Sequence, residues 1–240
     1  MAEKFHRHSF PSGKWFHLDE CNSTQLYFKT LIENGEDEKL NLFALSTDKQ
    51  INGIGRGNHQ WEHQTGGVAL SLKLPVTFAP TLAPLHFANI LWEFLVEGQM
   101  VHGTSLKLKW PNDLYVLNDQ QVWKKLAGVI THHINGNFLF GLGLNLYSNP
   151  QYGHLKSETP NTSTTLNFIE AMLHFFSIRW GKEIFSSTNW LERCIHLQKN
   201  VELIFSETEK VQGIFTGIGN IGECLIDHRP YVAGSLTWKL

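Results

Sequence analysis

The fold is decided by the stretch Phe138-Leu139-Phe140-Gly141-Leu142-Gly143-Leu144-Asn145-Leu146. Its even-numbered positions are all large and apolar, which is the period-two pattern of a β-strand with one face against a core. The other face carries two glycines, and glycine inside a strand often marks a position that a ligand or another backbone approaches closely. Tight packing of a helix against the sheet explains the same glycines and is slightly favoured when this strand is taken alone. The polar motifs elsewhere in the chain must therefore decide between a binding surface and a packing surface.

Other parts of the chain carry the same strand pattern or a helical one. Strands are predicted at residues 68–76, 106–110 and 126–130, and helices at residues 23–32, 84–101, 168–185 and 190–197. The predicted helix caps are Ser23 or Thr24, Asn167 (with Glu170 three residues later) and Asn189. This alternation of strands and helices predicts a mixed α/β domain.

After Leu197 the pattern changes to short strands separated by Gly, Asn and Pro turns. The predicted strands cover residues 201–205, 211–216, 223–226, 231–232 and 235–239. Closely spaced short strands are typical of a small barrel. We therefore predict two domains, residues 1–197 and residues 198–240.

Length and composition exclude several classes of protein. The chain has 240 residues, of which 42% are hydrophobic and 18% charged, so it is too apolar to be disordered and too mixed to be fibrous. Twenty basic and 22 acidic side chains give a formal charge of −2, which argues against a nucleic-acid partner held mainly through phosphates. No apolar run approaches the length of about 18 residues that a membrane span needs. Three distant cysteines (Cys21, Cys194 and Cys224) fit no disulfide framework, so we expect a cytoplasmic protein.

Four polar motifs fall at predicted strand ends and in loops. In chain order they are Cys21-Asn22-Ser23-Thr24-Gln25, Gly53-Ile54-Gly55-Arg56-Gly57, Lys109-Trp110-Pro111-Asn112-Asp113 and Lys125-Leu126-Ala127-Gly128. The glycine loop leaves backbone N–H groups open to an anion beside one guanidinium. It lacks the spacing of a dinucleotide fingerprint and the Lys-Ser/Thr pair of a P-loop. Each motif alone is weak, and the specific signal is the set taken together.

In this order, with Gly141-Leu142-Gly143-Leu144-Asn145 after them, the motifs resemble those of the biotin–protein ligases. The Lys-Trp-Pro-Asn-Asp run is the most distinctive, and the resemblance covers essentially the whole chain. It implies a class II synthetase-like α/β (α+β) fold, with a central mixed sheet flanked by helices and a small C-terminal SH3-like β-barrel. Because the Ser-Thr motif begins at position 23, we expect a monofunctional ligase without the N-terminal DNA-binding domain that some relatives carry.

The reaction that this resemblance implies has two steps. The carboxylate of biotin attacks the α-phosphorus of ATP, giving biotinyl-adenylate and pyrophosphate. A lysine of a biotin carboxyl carrier protein, such as that of acetyl-CoA carboxylase, then takes the biotinyl group. Two anions meet in the first step, so cationic side chains must stabilise the charge that develops. The resemblance implies Lys125, Arg56 and Asp113 as the catalytic residues.

The other site residues follow from the same resemblance. Those implied for biotin are Ser23, Thr24, Gln50, Gly53, Gly55, Arg56, Lys125, Gly128, Gly141 and Gly143. Those implied for ATP are Arg56, Trp61, Lys109, Trp110, Asn112 and Asn145. Asp113 is implied either to position Mg²⁺ or to orient and deprotonate the incoming lysine. The family also allows a homodimer through an exposed edge of the central sheet.

The glycine loop departs from the family, whose members commonly carry the denser pattern Gly-Arg-Gly-Arg-Arg-Gly-Arg. Aligned without a gap from Gln50 to Trp61, this chain keeps only Arg56. The positions of the other arginines hold Ile54, Gly57, Asn58 and His59. We therefore expect a looser hold on the adenylate, seen as faster loss of the intermediate or as lower affinity for ATP.

Two other functions stay open at this point. A lipoate–protein ligase or octanoyl transferase shares the fold and the acylation of lysine, but its pattern lacks the motif of residues 109–113. A non-catalytic regulator that binds biotin or a nucleotide would have a site that decayed at Ile54 and Asn58. The retention of Lys125, Arg56 and Asp113 argues against such decay.

Overall fold

The computed structural model describes residues 5–10, 13–35, 42–57, 59–75, 78–134, 136–148, 151–182 and 185–238. Within them the strands are β1 (Phe5–Phe10), β2 (Gly13–Cys21), β3 (Leu42–Gln50), β4 (Gly53–Ile54), β5 (Gln60–Trp61), β6 (Val68–Pro75), β7 (Leu106–Lys109), β8 (Asp113–Leu117), β9 (Trp123–Ile134), β10 (Asn137–Leu144), β11 (Asn200–Ile204), β12 (Lys210–Ile218), β13 (Cys224–Ile226), β14 (Arg229–Tyr231) and β15 (Ser235–Trp238). The α-helices are α1 (Thr24–Glu33), α2 (Ala83–Glu97), α3 (Thr162–Arg179) and α4 (Ser187–Glu192), and short 3₁₀ turns lie at Pro80–Leu82 and Gly103–Ser105. No helix among these residues could span a membrane.

The large sheet has the strand order β1-β2-β3-β6-β10-β9-β8-β7. Its one parallel pair is β2 with β3, and all its other neighbours are antiparallel, so the predicted mixed sheet is confirmed. Helix α1 lies in the connection between the two parallel strands, as a parallel crossover requires. The C-terminal strands form a separate antiparallel sheet in the order β14-β13-β12-β11-β15. The predicted change to short strands after Leu197 is thus confirmed.

Both faces of the large sheet are covered, and the alternation along β10 distributes its side chains between two cores. On one face Phe140 packs against Phe87 of α2, with their ring centroids 4.6 Å apart, and Phe87 packs in turn against Phe176 of α3. On the other face Leu139 belongs to a smaller core that includes Phe28 of α1. Burying an aromatic or aliphatic side chain of this size contributes roughly 1.5–3 kcal/mol.

Strands β2 and β3 were not predicted because they do not alternate. Six consecutive residues of β3, from Leu42 to Thr47, are buried, as are the four residues from Trp15 to Leu18 in β2. A strand covered on both faces reads as a continuous apolar run, which a period-two search does not detect. Strands β1 and β8 were missed as well.

The helices occur where they were predicted, but several of their ends differ. Helix α3 begins at Thr162, and its cap is Asn161, whose side chain accepts a hydrogen bond from the Thr164 N–H; the predicted cap Asn167 is wrong. Helix α4 is capped in the same way by Ser186 instead of Asn189. Helix α2 ends at Glu97, where the following Gly98 donates its N–H to the Phe94 carbonyl. An Asn or Ser outside the apolar pattern caps as well as one at its edge, so sequence spacing alone misplaces these ends.

The two sheets are joined by a segment that pairs with the edge of the large one. The Leu108 N–H donates to the Arg193 carbonyl at 2.8 Å, and the Ile195 N–H donates to the Leu108 carbonyl at 2.9 Å. The first C-terminal strand, β11, begins at Asn200. The division into domains at residues 197 and 198 stays a prediction.

His196 follows this segment and is fully buried. Its ring packs edge-on against Phe215, with centroids 4.2 Å apart, and lies 6.0 Å from the Trp238 ring. Neither ring nitrogen has a hydrogen-bond partner among the described residues. Burial, with a smaller effect of Lys109 and Lys199, lowers the pKa of His196 to about 3.

Acidification is therefore expected to destabilise the fold through His196. Between its folded pKa of about 3 and its ordinary pKa of about 6.5, the unfolded chain holds the proton more tightly than the folded one. The free energy of unfolding thus falls as the pH drops below about 6.5. At about pH 5 the protonation of His196 in the unfolded chain lowers it by roughly 2 kcal/mol. Urea unfolding at about pH 7.5 and about pH 5 measures the loss. The His196→Phe variant is expected to lose less stability between the two pH values, and equal losses would contradict the assignment.

Candidate functional site

A cavity of about 300 Å³ opens on the α1 side of the large sheet, between the glycine loop and the C-terminal sheet. Thirteen of the residues implied by the sequence line it: Thr24, Gln50, Gly55, Arg56, Trp61, Lys109, Trp110, Asn112, Asp113, Lys125, Gly128, Gly141 and Gly143. Ser23, Gly53 and Asn145 do not line this cavity. The fold thus brings together motifs that are more than a hundred residues apart in the chain.

Asp113 holds two lysines at the rim of the cavity. It begins β8, directly opposite Lys109 on β7 and Gly128 on β9. Its Oδ1 lies 2.8 Å from the Nζ of Lys125, and its Oδ2 lies 3.8 Å from the Nζ of Lys109. Two ammonium groups against one carboxylate leave the cluster with a net positive charge.

Burial affects the two lysines differently. The side chain of Lys125 is 33% exposed, whereas that of Lys109 is only 16% exposed. Burial lowers the pKa of Lys109, the Asp113 carboxylate opposes this shift, and Lys125 and Arg56 add to it. The Lys109 ammonium therefore depends on its immediate neighbours for stabilisation, while Lys125 stays accessible from the cavity.

The glycine face of β10, which carries the Gly141 and Gly143 implied for biotin, is covered by protein side chains. A Cβ on Gly141 would lie 2.7 Å from the Gln25 Nε2, and a Cβ on Gly143 would overlap the indole of Trp61. The Lys125 Nζ lies 5.7 Å from the centroid of the same indole. The glycines thus admit Trp61 and Gln25 to the sheet surface, and both side chains become walls of the cavity.

Gln25 was missed as a site residue, although it belongs to the quoted Cys21–Gln25 motif. Its Nε2 donates to the Ser71 Oγ at 2.9 Å and to the Phe140 carbonyl at 2.8 Å, and its Oε1 lies 3.3 Å from the His132 Nδ1. Gln25 lies in the first turn of α1, and its bond to the Phe140 carbonyl directs its side chain to β10.

Thr24 and Gln50, which are both implied for biotin, are hydrogen-bonded to each other. The Gln50 Oε1 accepts hydrogen bonds from the Thr24 N–H at 2.8 Å and from its hydroxyl at 3.0 Å, which ties the end of β3 to the start of α1. Ser23 is buried, and its hydroxyl has no hydrogen-bond partner among the described residues. Gly53 pairs with Trp61 across β4 and β5, so a Cβ at Gly53 would clash with the Trp61 backbone.

The polar groups of Trp110 and Asn112 are engaged within the protein. The Trp110 Nε1 donates to the Gly222 carbonyl at 2.9 Å, and the Asn112 Nδ2 donates to the Val129 carbonyl. Asn145 is buried, and its backbone N–H donates to the Leu126 carbonyl at 2.9 Å. These hydrogen bonds tie the three residues to the segments around the cavity, and two of the residues, Trp110 and Asn112, also line it.

The C-terminal sheet closes one side of the cavity. Ser235, Leu236 and Thr237 of β15 line it, and no feature of the sequence indicated this. The Arg56 guanidinium donates to the Gly234 carbonyl and lies 3.3 Å from the Ser235 Oγ. The loop arginine is thus held at the boundary between the two sheets.

Asp113 does not fit the role of a metal ligand. Both of its carboxylate oxygens face ammonium groups, and a divalent cation there would meet two positive charges. Within the described part of the chain, no group of three or more His, Cys, Asp or Glu residues could hold a metal ion. The assignment of Mg²⁺ to Asp113 stays a prediction without geometric support.

Solved structures share this fold over nearly the full chain. The biotin protein ligase from Aquifex aeolicus in complex with biotin and ATP is 23% identical, with a TM-score of 0.66 over 96% of this chain and 100% of that chain. The biotin acetyl coenzyme A carboxylase synthetase from Helicobacter pylori with bound biotinylated ATP is 21% identical, with a TM-score of 0.67 over 90% and 98%. The biotin protein ligase from Leishmania major in complex with biotinyl-5-AMP is 16% identical, with a TM-score of 0.60 over 97% and 100%. At these identities the likeness establishes the fold.

The family is established by a second comparison. The model of the biotin/lipoate A/B protein ligase family matches residues 21–149, which are more than half of the 240 residues. The match runs from the Cys21 motif through the lysine motifs to the end of β10, and it thus includes most of the cavity. The resemblance is confirmed: the chain belongs to the biotin/lipoate A/B protein ligase family.

Proposed function

We propose that this protein is a biotin–protein ligase that forms biotinyl-adenylate from biotin and ATP. It then transfers the biotinyl group to a lysine of a biotin carboxyl carrier protein. The observation that carries the proposal is the cluster of Lys125, Lys109 and Asp113 at the rim of a cavity of about 300 Å³. The proposal is also supported by the similar structures from Aquifex, Helicobacter and Leishmania, which contain biotin with ATP, biotinylated ATP and biotinyl-5-AMP.

The first step requires two anions to approach each other. A carboxylate oxygen of biotin attacks the α-phosphorus of ATP, the bond from that phosphorus to the bridging oxygen breaks, and pyrophosphate leaves. A net positive cluster offsets the repulsion and stabilises the charge of the transition state. In the proposal Lys125 contacts the reacting carboxylate and phosphate. Its ion pair with Asp113, at 2.8 Å, keeps it in place. The second ammonium, that of Lys109, leaves the cluster with a net positive charge.

The cavity offers surfaces that suit the rest of both substrates. Thr24 and Gln50 line the cavity and would meet the ureido group of biotin, and Trp61 and Gly128 lie beside Lys125. A few polar groups in an otherwise apolar slot are typical of small-molecule sites. Lys109, Trp110 and Asn112 would lie along the nucleotide, together with the backbone of β15.

The second step completes the reaction. The amine of the acceptor lysine attacks the acyl carbon, the bond from that carbon to the AMP oxygen breaks, and the amine proton is released. Asp113 is the one carboxylate among the described residues that line the cavity, so it would orient the amine.

Arg56 is proposed to hold the adenylate between the two steps. The looser hold expected from the arginine-poor loop stays a prediction, which the dissociation rate of preformed biotinyl-adenylate would measure.

Transfer of biotin to an acceptor tests the function. The purified chain is mixed with ATP, magnesium, a carboxyl carrier domain and either biotin, lipoate or octanoate, and the mass of the acceptor is measured. The proposal expects a biotinyl adduct only when biotin and ATP are both present. An adduct from lipoate would make the protein a lipoate ligase, and biotin binding without any adduct would make it a regulator; either result overturns the proposal.

A further inference from the structure

The Lys109 ammonium is enclosed by two aromatic rings as well as by Asp113. Its Nζ lies 5.4 Å from the ring centroid of Trp238 and 5.7 Å from that of Tyr115. The two rings contact each other edge to face, with their centroids 5.3 Å apart. A cation within about 6 Å of an aromatic face is attracted to it, most strongly when water is excluded.

The larger ring of this enclosure comes from the C-terminal sheet. Trp238 ends β15 opposite Val201 of β11, and Leu236, two residues earlier on the same face, is buried. The backbone of Trp238 is therefore held in the C-terminal sheet, whereas Lys109 and Tyr115 belong to the large sheet. The contact between Lys109 and Trp238 joins the two parts of the chain at the rim of the cavity.

We propose that Trp238 is a positioning residue, which holds the Lys109 ammonium against the cavity so that it meets the phosphates of the nucleotide. The proposal rests on the function proposed above, since it assigns Lys109 to ATP. It explains how a lysine that is only 16% exposed keeps a defined place beside the Asp113 carboxylate: the two π faces supply the rest of its stabilisation. Trp238 itself acts through Lys109 and has no direct part in the chemistry.

A structural role of Trp238 is the alternative, because its ring also packs against His196. Two substitutions separate the alternatives. Trp238→Phe keeps a π face, and Trp238→Leu keeps apolar bulk without one. A packing role predicts that both variants behave alike, whereas a cation–π role predicts that only Trp238→Leu fails.

The first measurement is biotin-dependent exchange of pyrophosphate into ATP. For Trp238→Leu the KM for ATP is expected to rise by about threefold to thirtyfold, while the KM for biotin stays unchanged. For Trp238→Phe the KM for ATP is expected to stay within about twofold of the wild-type value. Equal values for the two variants, or a matching rise in the KM for biotin, would overturn the proposal.

The second measurement does not depend on the enzymatic function. Amines of the ligand-free protein are labelled with limiting acetic anhydride, and the label at each lysine is quantified by mass spectrometry. Lys109 is expected to react several-fold faster in Trp238→Leu than in the wild type or Trp238→Phe, while Lys107 on the same strand reacts equally in all three. If the wild type shows no exchange activity, the proposed function fails, and this labelling alone decides the role of Trp238. Equal labelling of Lys109 in all three proteins would refute that role.

Discussion

Replacing Lys125 by methionine is expected to slow the formation of biotinyl-adenylate by a factor on the order of 10²–10³, which is the usual cost of losing one preorganised stabiliser of transition-state charge. Methionine keeps most of the side-chain volume, so the fold and the Trp61 wall should stay in place. Asp113 keeps Lys109 as a partner at 3.8 Å, but the cluster loses its net positive charge. Biotin-dependent exchange of pyrophosphate into ATP gives the rate.

The neighbouring Lys124 supplies the control for this experiment. It precedes Lys125 on β9, and it does not line the cavity. Lys124→Met should therefore exchange pyrophosphate at nearly the wild-type rate. If Lys125→Met retains a rate close to that of Lys124→Met, Lys125 has no part in stabilising the reaction.

Substitution of Gly143 by alanine is expected to weaken the binding of biotin by about fivefold to a hundredfold. The added Cβ would overlap the indole of Trp61, so the ring must move into the cavity that it now borders. Overpacking of this kind typically costs about 1–3 kcal/mol, and a shifted wall changes the shape of the site. Isothermal titration with biotin measures the affinity, and urea unfolding shows how much of the cost falls on stability.

Gly217 on β12 provides a matched glycine. A Cβ there would meet only Leu225 at 3.7 Å and Leu191 at 4.0 Å, which are ordinary contact distances. Gly217→Ala should bind biotin like the wild type. An unchanged affinity in Gly143→Ala would show that the sheet surface under Trp61 does not shape the ligand site.

The sequence predicted those strands in which large apolar residues alternate with smaller or polar ones. Strands β6 and β10 were found because every second side chain is a large apolar one that enters the core under α2 and α3, and the helices were found from their apolar stripes. Both strands are buried on their second face as well, but that face carries residues such as Ser71 of β6 and Gly141 and Gly143 of β10. Strand β3 was missed because it places large apolar residues on both faces, Leu42 on one and Phe43 on the other, which removes the periodicity on which such a prediction depends.

The candidate site was predictable as a set of motifs but not as a shape. Lys109, Asp113 and Lys125 were named from their motifs, and the antiparallel register of β7, β8 and β9 brings them together. The filling of the glycine face by Trp61 and Gln25 was not predictable, because it depends on a loop and a helix that cross the sheet from elsewhere in the chain. The lining of the cavity by β15 was not predictable for the same reason, since no pattern within residues 235–238 indicates that this strand lies beside the large sheet.

We expect the backbone pairing of Leu108 with Arg193 and Ile195 to protect the segment between the two sheets from proteases. Proteolytic nicking concentrates at exposed loop tips, whereas Cys194, Ile195 and His196 are all buried. Cleavage between the sheets must wait until this short pairing opens, so limited digestion should attack outer loops before it severs the two halves.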